Sequence, residues 1–161
     1  LARAIVGQQI SVKAADTIWK RLEITANGNI SRSRIRELST EELRKTGLSS
    51  QKTAYIWNIA ESEVLGTDWD QCSDEKITEL LCTIKGIGKW TAEMFLIFHL
   101  ARPNVLPLAD IGLIRAIEKN YNGGNGMNKE QFDGLGQKWS PWCTVTTWYL
   151  WRSLDPIPVE Y

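Results

Sequence analysis

The stretch Ile84-Lys85-Gly86-Ile87-Gly88-Lys89-Trp90-Thr91-Ala92 decides how this chain is read. Two glycines separated by one apolar residue permit a tight backbone turn, and helical patterns lie on both sides of it. Ser73 stands as the cap of a helix running through about Cys82. After the turn, Lys89 begins a helix that is apolar nearly all round. A surface helix needs only one apolar stripe, so Trp90 to Leu100 is expected to be buried on most faces and to form the centre of the domain. Several N–H groups point outward at the start of that helix, where its dipole favours an anion. With Lys85 and Lys89 beside the glycines, the hairpin suits a phosphate and points toward nucleic acid. A G-x-G alone is also an ordinary interhelical turn.

Working outward, residues 1–24 repeat apolar positions at helical spacing, broken at Gly7-Gln8-Gln9-Ile10 ahead of the cap candidate Ser11, which predicts two short helices. Ser39-Thr40-Glu41-Glu42 opens a further helix with a capping-box pattern, closed by Gly47. Another helix is expected over about residues 50–65. Beyond the central helix, Arg102-Pro103-Asn104 ends it and Val105-Leu106-Pro107-Leu108 runs extended. Asp110 then stands at the N-cap of a helix carrying Ile111, Leu113, Ile114 and Ile117. Gly123-Gly124-Asn125-Gly126 reads as a flexible turn. A last helix is expected to take Ser140 as cap and Pro141 as its first residue, with Trp142, Val145, Trp148, Tyr149, Trp151 and Leu154 along it. No segment reads as a strand, so the expected fold class is all-α.

At 161 residues and 43% hydrophobic, the chain has the size of one domain with a sizeable core, which excludes disorder. No apolar run reaches the roughly 18 residues a membrane span needs. Cys72, Cys82 and Cys143 are odd in number and lack metal-binding spacing, so neither a disulfide framework nor a zinc or iron–sulfur site is suggested. A reducing, intracellular setting is the expectation. The chain begins with Leu1, which predicts trimming or a start partway through a longer protein. Net charge is zero, but residues 1–60 carry ten Lys/Arg against five Asp/Glu, and residues 61–161 nine against fourteen. Arg32, Arg34 and Arg36 therefore belong either to a basic face or to a solvated loop.

Ile5-Val6-Gly7-Gln8-Gln9-Ile10-Ser11, the hairpin Ile84 to Ala92, Asp110-Ile111-Gly112, and Pro141-Trp142 through Trp148-Tyr149-Leu150-Trp151 together resemble the helix-hairpin-helix (HhH-GPD) DNA glycosylase superfamily. They are most similar to its DNA-3-methyladenine glycosylase II (AlkA) type. The resemblance covers nearly the whole chain, which it treats as a single domain over 1–161, in two lobes around the central helix. The resemblance includes no counterpart of the N-terminal mixed domain that some members carry.

The resemblance implies a monofunctional glycosylase of base excision repair that removes alkylated purines such as 3-methyladenine and leaves an abasic site. Asp110 matches the catalytic aspartate. Gly86, Ile87 and Gly88 match the hairpin that grips a phosphate, with Gln8, Ser11, Lys85, Lys89 and Thr91 as further DNA-binding positions. Gln9 falls where the family places the side chain that fills the gap left by the flipped nucleotide. Relatives that also cleave the backbone use a lysine two residues after the second hairpin glycine to form a Schiff base; here that place is Trp90. The four-cysteine cluster of the iron–sulfur branch is missing. Trp151 matches the pocket tryptophan, Trp90 and Trp148 are neighbouring candidates for the base pocket, and Met94 sits where some members carry tyrosine. Most of the eight tryptophans are expected in the core. In many members hairpin carbonyls hold a sodium or potassium ion; the matching positions are Cys82, Ile84 and Ile87, and no other cofactor is implied. The implied partner is double-stranded DNA with a damaged base, met by a monomer in the cytoplasm at a bacterial nucleoid, or in a nucleus, with no membrane and no secretion.

An alkylated purine is cationic, so stacking it on an aromatic face gains on the order of 0.5 to 2 kcal/mol. It leaves with little proton donation. The carboxylate of Asp110 would stabilise the positive sugar. His99, the only histidine, reads as a core or helix-end residue. Three other readings stand beside this one. They are a non-catalytic helix-hairpin-helix DNA-binding module in which Asp110 is only a cap, a glycosylase for another damaged or mismatched base, and an all-helical scaffold without nucleic acid.

Overall fold

The structure, a computed structural model, describes residues 1–154. Ten α-helices and no strand occur among them. The chain forms two compact units, Leu1–Ala92 and a second beginning at Glu93. The first contains α1 (Ala2–Gly7), α2 (Val12–Thr25), α3 (Arg32–Glu37), α4 (Thr40–Lys45), α5 (Ser50–Glu61) and α6 (Asp74–Cys82), with 3-10 turns at Glu63–Gly66 and Trp69–Gln71. Helix α7 (Lys89–Phe98) runs across the division. The second unit contains α8 (Ile111–Tyr121), α9 (Lys129–Trp139) and α10 (Cys143–Leu154). As expected for the central helix, Thr91, Ala92, Glu93, Phe95, Leu96 and Ile97 of α7 are buried.

Local chemistry sets most of the helix starts. Ser11, Ser31, Ser39, Ser49 and Ser73 each accept a backbone N–H from the first turn of the helix they precede. Each such cap contributes about 1 kcal/mol. At Ser39 the box is complete, because Glu42 reaches back to the Ser39 N–H. Hydrogen bonding to Ser39 holds the Glu42 carboxyl below its usual range.

Elsewhere the structure departs from the pattern reading. The helix expected over 50–65 stops at Glu61, where the Arg32 guanidinium donates to the carbonyls of Ala60 and Ser62. A side chain thus satisfies carbonyls that another helical turn would have used. Arg32, Arg34 and Arg36 lie on α3, which is neither a solvated loop nor a face of unengaged charge. Arg34 pairs with Glu37 and bonds the Thr25 carbonyl, and Arg36 pairs with Glu61.

In the second unit, Ser140 does not open the last helix. It follows the end of α9, and α10 begins at Cys143. The loop after α7 caps α10 instead: Cys143 N–H donates to Asn104 Oδ1 at 3.4 Å and Thr144 N–H to the Pro103 carbonyl at 3.0 Å. Helix α9, which the sequence pattern does not reveal, contains two glycines. Its start is fixed by an Asn128/Gln131 capping box, and Phe132 anchors it in a core with Leu113, Ala116, Ile117 and Leu150. A Cβ on Gly136 would lie 3.1 Å from Leu106, so the glycine permits the close approach of α9 to the extended segment. None of the eight tryptophans is fully buried, and Trp90, Trp142 and Trp148 are exposed, contrary to the core assignment. The size of the indole and its N–H keep it at the edges of packed regions.

Candidate functional site

In the first unit, α6 ends with Thr83 and Ile84 N–H groups bonded to the Leu80 and Leu81 carbonyls, and Ile87 N–H closes the next turn onto the Ile84 carbonyl at 2.9 Å. Ile84 and Ile87 are buried and anchor this turn, while Lys85, Gly88, Lys89 and Trp90 face outward. Gly86 has φ +107°, and a Cβ there would lie 2.3 Å from the ring of Tyr55. Only glycine fits both conditions. At Gly88 an added Cβ would meet nothing within 4 Å, so the start of α7 is open to a ligand. A helix N-terminus flanked by two exposed lysines is suited to an anion.

Beside the hairpin lies the loop between α1 and α2. Gln8 Nε2 donates to the Gly86 carbonyl at 3.3 Å. Gln9 has φ +55°, a conformation sparsely populated by non-glycine residues, and is exposed. Ser11 caps α2 through the Ala14 N–H at 3.3 Å. Lys52 Nζ donates to the Val6 carbonyl at 2.7 Å, and partial burial pushes its ammonium below the ordinary lysine value. Thr91 is a correction to the DNA-binding set. Its side chain is 3% exposed, because it points inward from the first turn of α7, so only its backbone remains as a contact.

In the second unit, Asp110 sits in extended conformation at the N-cap of α8, half-buried. Its Oδ1 accepts the Leu113 N–H at 2.6 Å and the Trp151 Nε1–H at 3.0 Å. Two donors on one oxygen fix the plane of the carboxylate. A Cβ on Gly112 would lie 3.1 Å from the same oxygen, so this glycine leaves room for the carboxylate over the helix start. The N-cap and functional readings of Asp110 are therefore compatible.

Trp151 stacks parallel to Phe98, with centroids 6.2 Å apart and 5° between planes. Trp148 meets both rings edge-on, at 5.5 Å and 5.9 Å. Phe98 and Trp148 are 44% and 41% exposed, so this aromatic cluster reaches the surface next to the residue that holds Asp110. Aromatic faces take a planar ring, and a cationic one best.

The structure thus brings Gln8 to Gly86, Asp110 to Trp151, and Trp151 to Trp148. Trp90 lies exposed on the first turn of α7, and Met94 half-buried one turn on. Phe98 is a functional candidate that the sequence reading missed. A signal existed, since Trp90, Met94 and Phe98 recur at i, i+4 and i+8 on one helical face. Lys52, Tyr55 and Asn58 were also missed; their partners lie far away in sequence. His99 is exposed just beyond the end of α7 with its ring 4.6 Å from Phe95, which makes it a helix-end residue rather than a core one. Glu93, buried within a helix that reads as apolar, is a charge the pattern hides.

Comparison with known proteins agrees with this geometry. The family described as HhH-GPD superfamily base excision DNA repair protein matches residues 2–141. The crystal structure of a DNA-3-methyladenine glycosidase from Bacillus halodurans superposes with a TM-score of 0.86 at 36% identity, covering 96% of this chain and 73% of that one. A 3-methyladenine DNA glycosylase from Schizosaccharomyces pombe, solved in complex with abasic DNA, gives 0.81 at 31% identity, covering 98% of this chain and 81% of that one. A Bacillus subtilis protein, provisionally named a DNA-3-methyladenine glycosylase, is 31% identical over 96% of this chain, which spans 58% of its length. The hairpin, the capping carboxylate and these likenesses converge: the chain belongs to the HhH-GPD superfamily of base excision DNA repair proteins.

Proposed function

We propose that this chain carries the catalytic machinery of a monofunctional DNA glycosylase that hydrolyses the N-glycosidic bond of alkylated purines such as 3-methyladenine. The observation that carries the reading is the Asp110 carboxylate, fixed by Leu113 N–H and by Trp151 Nε1–H, whose indole lies in an aromatic cluster with Phe98 and Trp148. The names of the similar proteins support the same substrate class.

Base release requires the nucleotide to leave the stack, at a cost of a few kcal/mol that is smaller for damaged bases. The hairpin from Lys85 to Lys89 holds a phosphate of the DNA, and Gln9 fills the space left in the duplex. The cationic purine stacks on aromatic faces supplied by Trp148 and Phe98, with Met94 as a further pocket residue. The C1′–N bond then breaks with its electron pair going to the purine, which leaves neutral. Asp110 stabilises the positive charge that develops on the sugar, and water bonds C1′ and loses a proton. With Trp90 in place of an attacking lysine, no Schiff base forms and the DNA backbone stays intact.

Backbone oxygens suit a hard cation, and each carbonyl keeps a second lone pair when, as at Ile84, one N–H is already accepted. The Cys82, Ile84 and Ile87 carbonyls, at the negative end of α6, would hold a sodium or potassium ion that adds positive charge beside the phosphate. We place the working protein as a monomer wherever its DNA lies, in a nucleoid or a nucleus.

Incubation with methylated duplex DNA tests the reading, with chromatography of the released bases and borohydride trapping. Free 3-methyladenine, alkali-labile sites and no covalent adduct are expected. A trapped adduct would contradict the monofunctional mechanism. Absence of release from methylated, deaminated and oxidised substrates alike would replace the enzyme by a binding module.

A further inference from the structure

We infer that Lys52 is a positioning residue which, together with Gln8, locks the Gly7–Ser11 loop onto the 84–88 hairpin, so that Gln9 and the phosphate-holding turn meet DNA as one rigid platform. What the platform does rests on the glycosylase reading; that it is one piece rests on the contacts alone.

Helix α1 has six residues, too few to fix its own C-terminus. The Val6 carbonyl near its end is taken by Lys52 Nζ at 2.7 Å, 46 residues away in sequence. Two residues on, Gln8 leaves the helix with φ −55° and ψ 127°, and its amide donates to the Gly86 carbonyl. The chain then enters the φ +55° conformation of Gln9. A non-glycine residue in that region persists where its surroundings over-determine it, and here Val6 and Gln8 tie the preceding side while Ser11 caps α2 on the other.

The same helix holds the hairpin. Tyr55 packs against Gly86, its OH accepts from Gln51 Nε2 at 2.6 Å, and Asn58 Nδ2 donates to the Lys85 carbonyl at 3.1 Å. Lys52, Tyr55 and Asn58 stand at i, i+3 and i+6 on α5, so one helix face grips both loops. An ordinary surface lysine extends its ammonium to water. Lys52 instead directs it to a main-chain carbonyl, a charge-assisted bond that a neutral side chain of the same length does not replace.

The test compares Lys52→Met, which keeps the stem and removes the donor, with Lys52→Arg, which restores a charged donor. In the free protein, amide exchange over residues 8–11 is expected to quicken at least about tenfold in Lys52→Met, with exchange in α6 and α10 unchanged, and to return toward wild type in Lys52→Arg. On duplex DNA with a tetrahydrofuran abasic analogue beside 2-aminopurine, the fluorescence change on binding should fall severalfold in Lys52→Met. Adding that change to Gln9→Ala should then have no further effect. If Lys52→Met does not fold, Lys52→Leu, likewise without a donor, gives the same comparison. Wild-type exchange over 8–11, or effects of Lys52→Met and Gln9→Ala that simply add, would overturn the inference. Failure of the wild type to bind this DNA or release bases would remove the glycosylase reading, while the exchange result still decides whether the loops are coupled.

Discussion

Around the hairpin, the outward features are mainly those of the main chain: an open Gly88, the first turn of α7, and a positive-φ Gly86 backed by Tyr55. Around Asp110 they are side chains: a carboxylate held by an amide and an indole N–H, and three aromatic rings in mutual contact. On the proposed function, the first region acts through shape and is expected to be sensitive to an added methyl group. The second acts through charge and polarity, and is expected to be sensitive to changes that leave shape alone. Each can therefore be damaged without the other, and the kind of damage identifies the kind of work.

The largest expected effect is that of Asp110→Asn on base release. Asparagine caps a helix about as well as aspartate and still offers an oxygen to Leu113 N–H and Trp151 Nε1–H, so fold and DNA affinity should be kept. Release should drop by roughly 100- to 1,000-fold, the scale of losing one preorganised electrostatic group, as measured in single-turnover assays.

Next comes Gly86→Ala. It forces a side chain into φ +107° and into the Tyr55 ring, and should lower both thermal stability and affinity for all DNA sequences, undamaged ones included. A stable Gly86→Ala protein with full affinity would remove the hairpin from the interface. Smaller again is Trp151→Phe, which keeps a ring against Phe98 and deletes the donor to Asp110. Release should fall about tenfold with little change in affinity, in line with a hydrogen bond to a charged group. A loss of affinity instead would mean that Trp151 serves the DNA rather than the carboxylate.

Much of this was legible in the sequence because it is written locally. The glycine spacing of the hairpin, the serine caps at Ser11, Ser39 and Ser73, and Asp110 ahead of Leu113 all involve residues within a few positions of one another. What could not be read is non-local. Trp151 reaches Asp110 across 41 residues and Gln8 reaches Gly86 across 78, and no periodicity encodes either bond. Arg32 ends α5 from a distance of 28 residues, which explains why the helix pattern there overran. Thr91 shows the converse failure. A polar residue beside a hairpin reads as a ligand contact until the helical phase turns it inward. Helix α9 had a readable start at Asn128 and Gln131, but Gly134 and Gly136 masked its body.

The division between shape and charge is tested most directly by single-turnover release and equilibrium binding, measured together on methylated duplex DNA for Asp110→Asn and Gly88→Ala. Gly88 has negative or extended backbone geometry and open space around it, so alanine there should cost under about 1 kcal/mol of stability. The expected result is a loss of rate with unchanged affinity for Asp110→Asn, and a loss of affinity with an unchanged rate at saturation for Gly88→Ala. Both variants moving the same parameter would contradict the account.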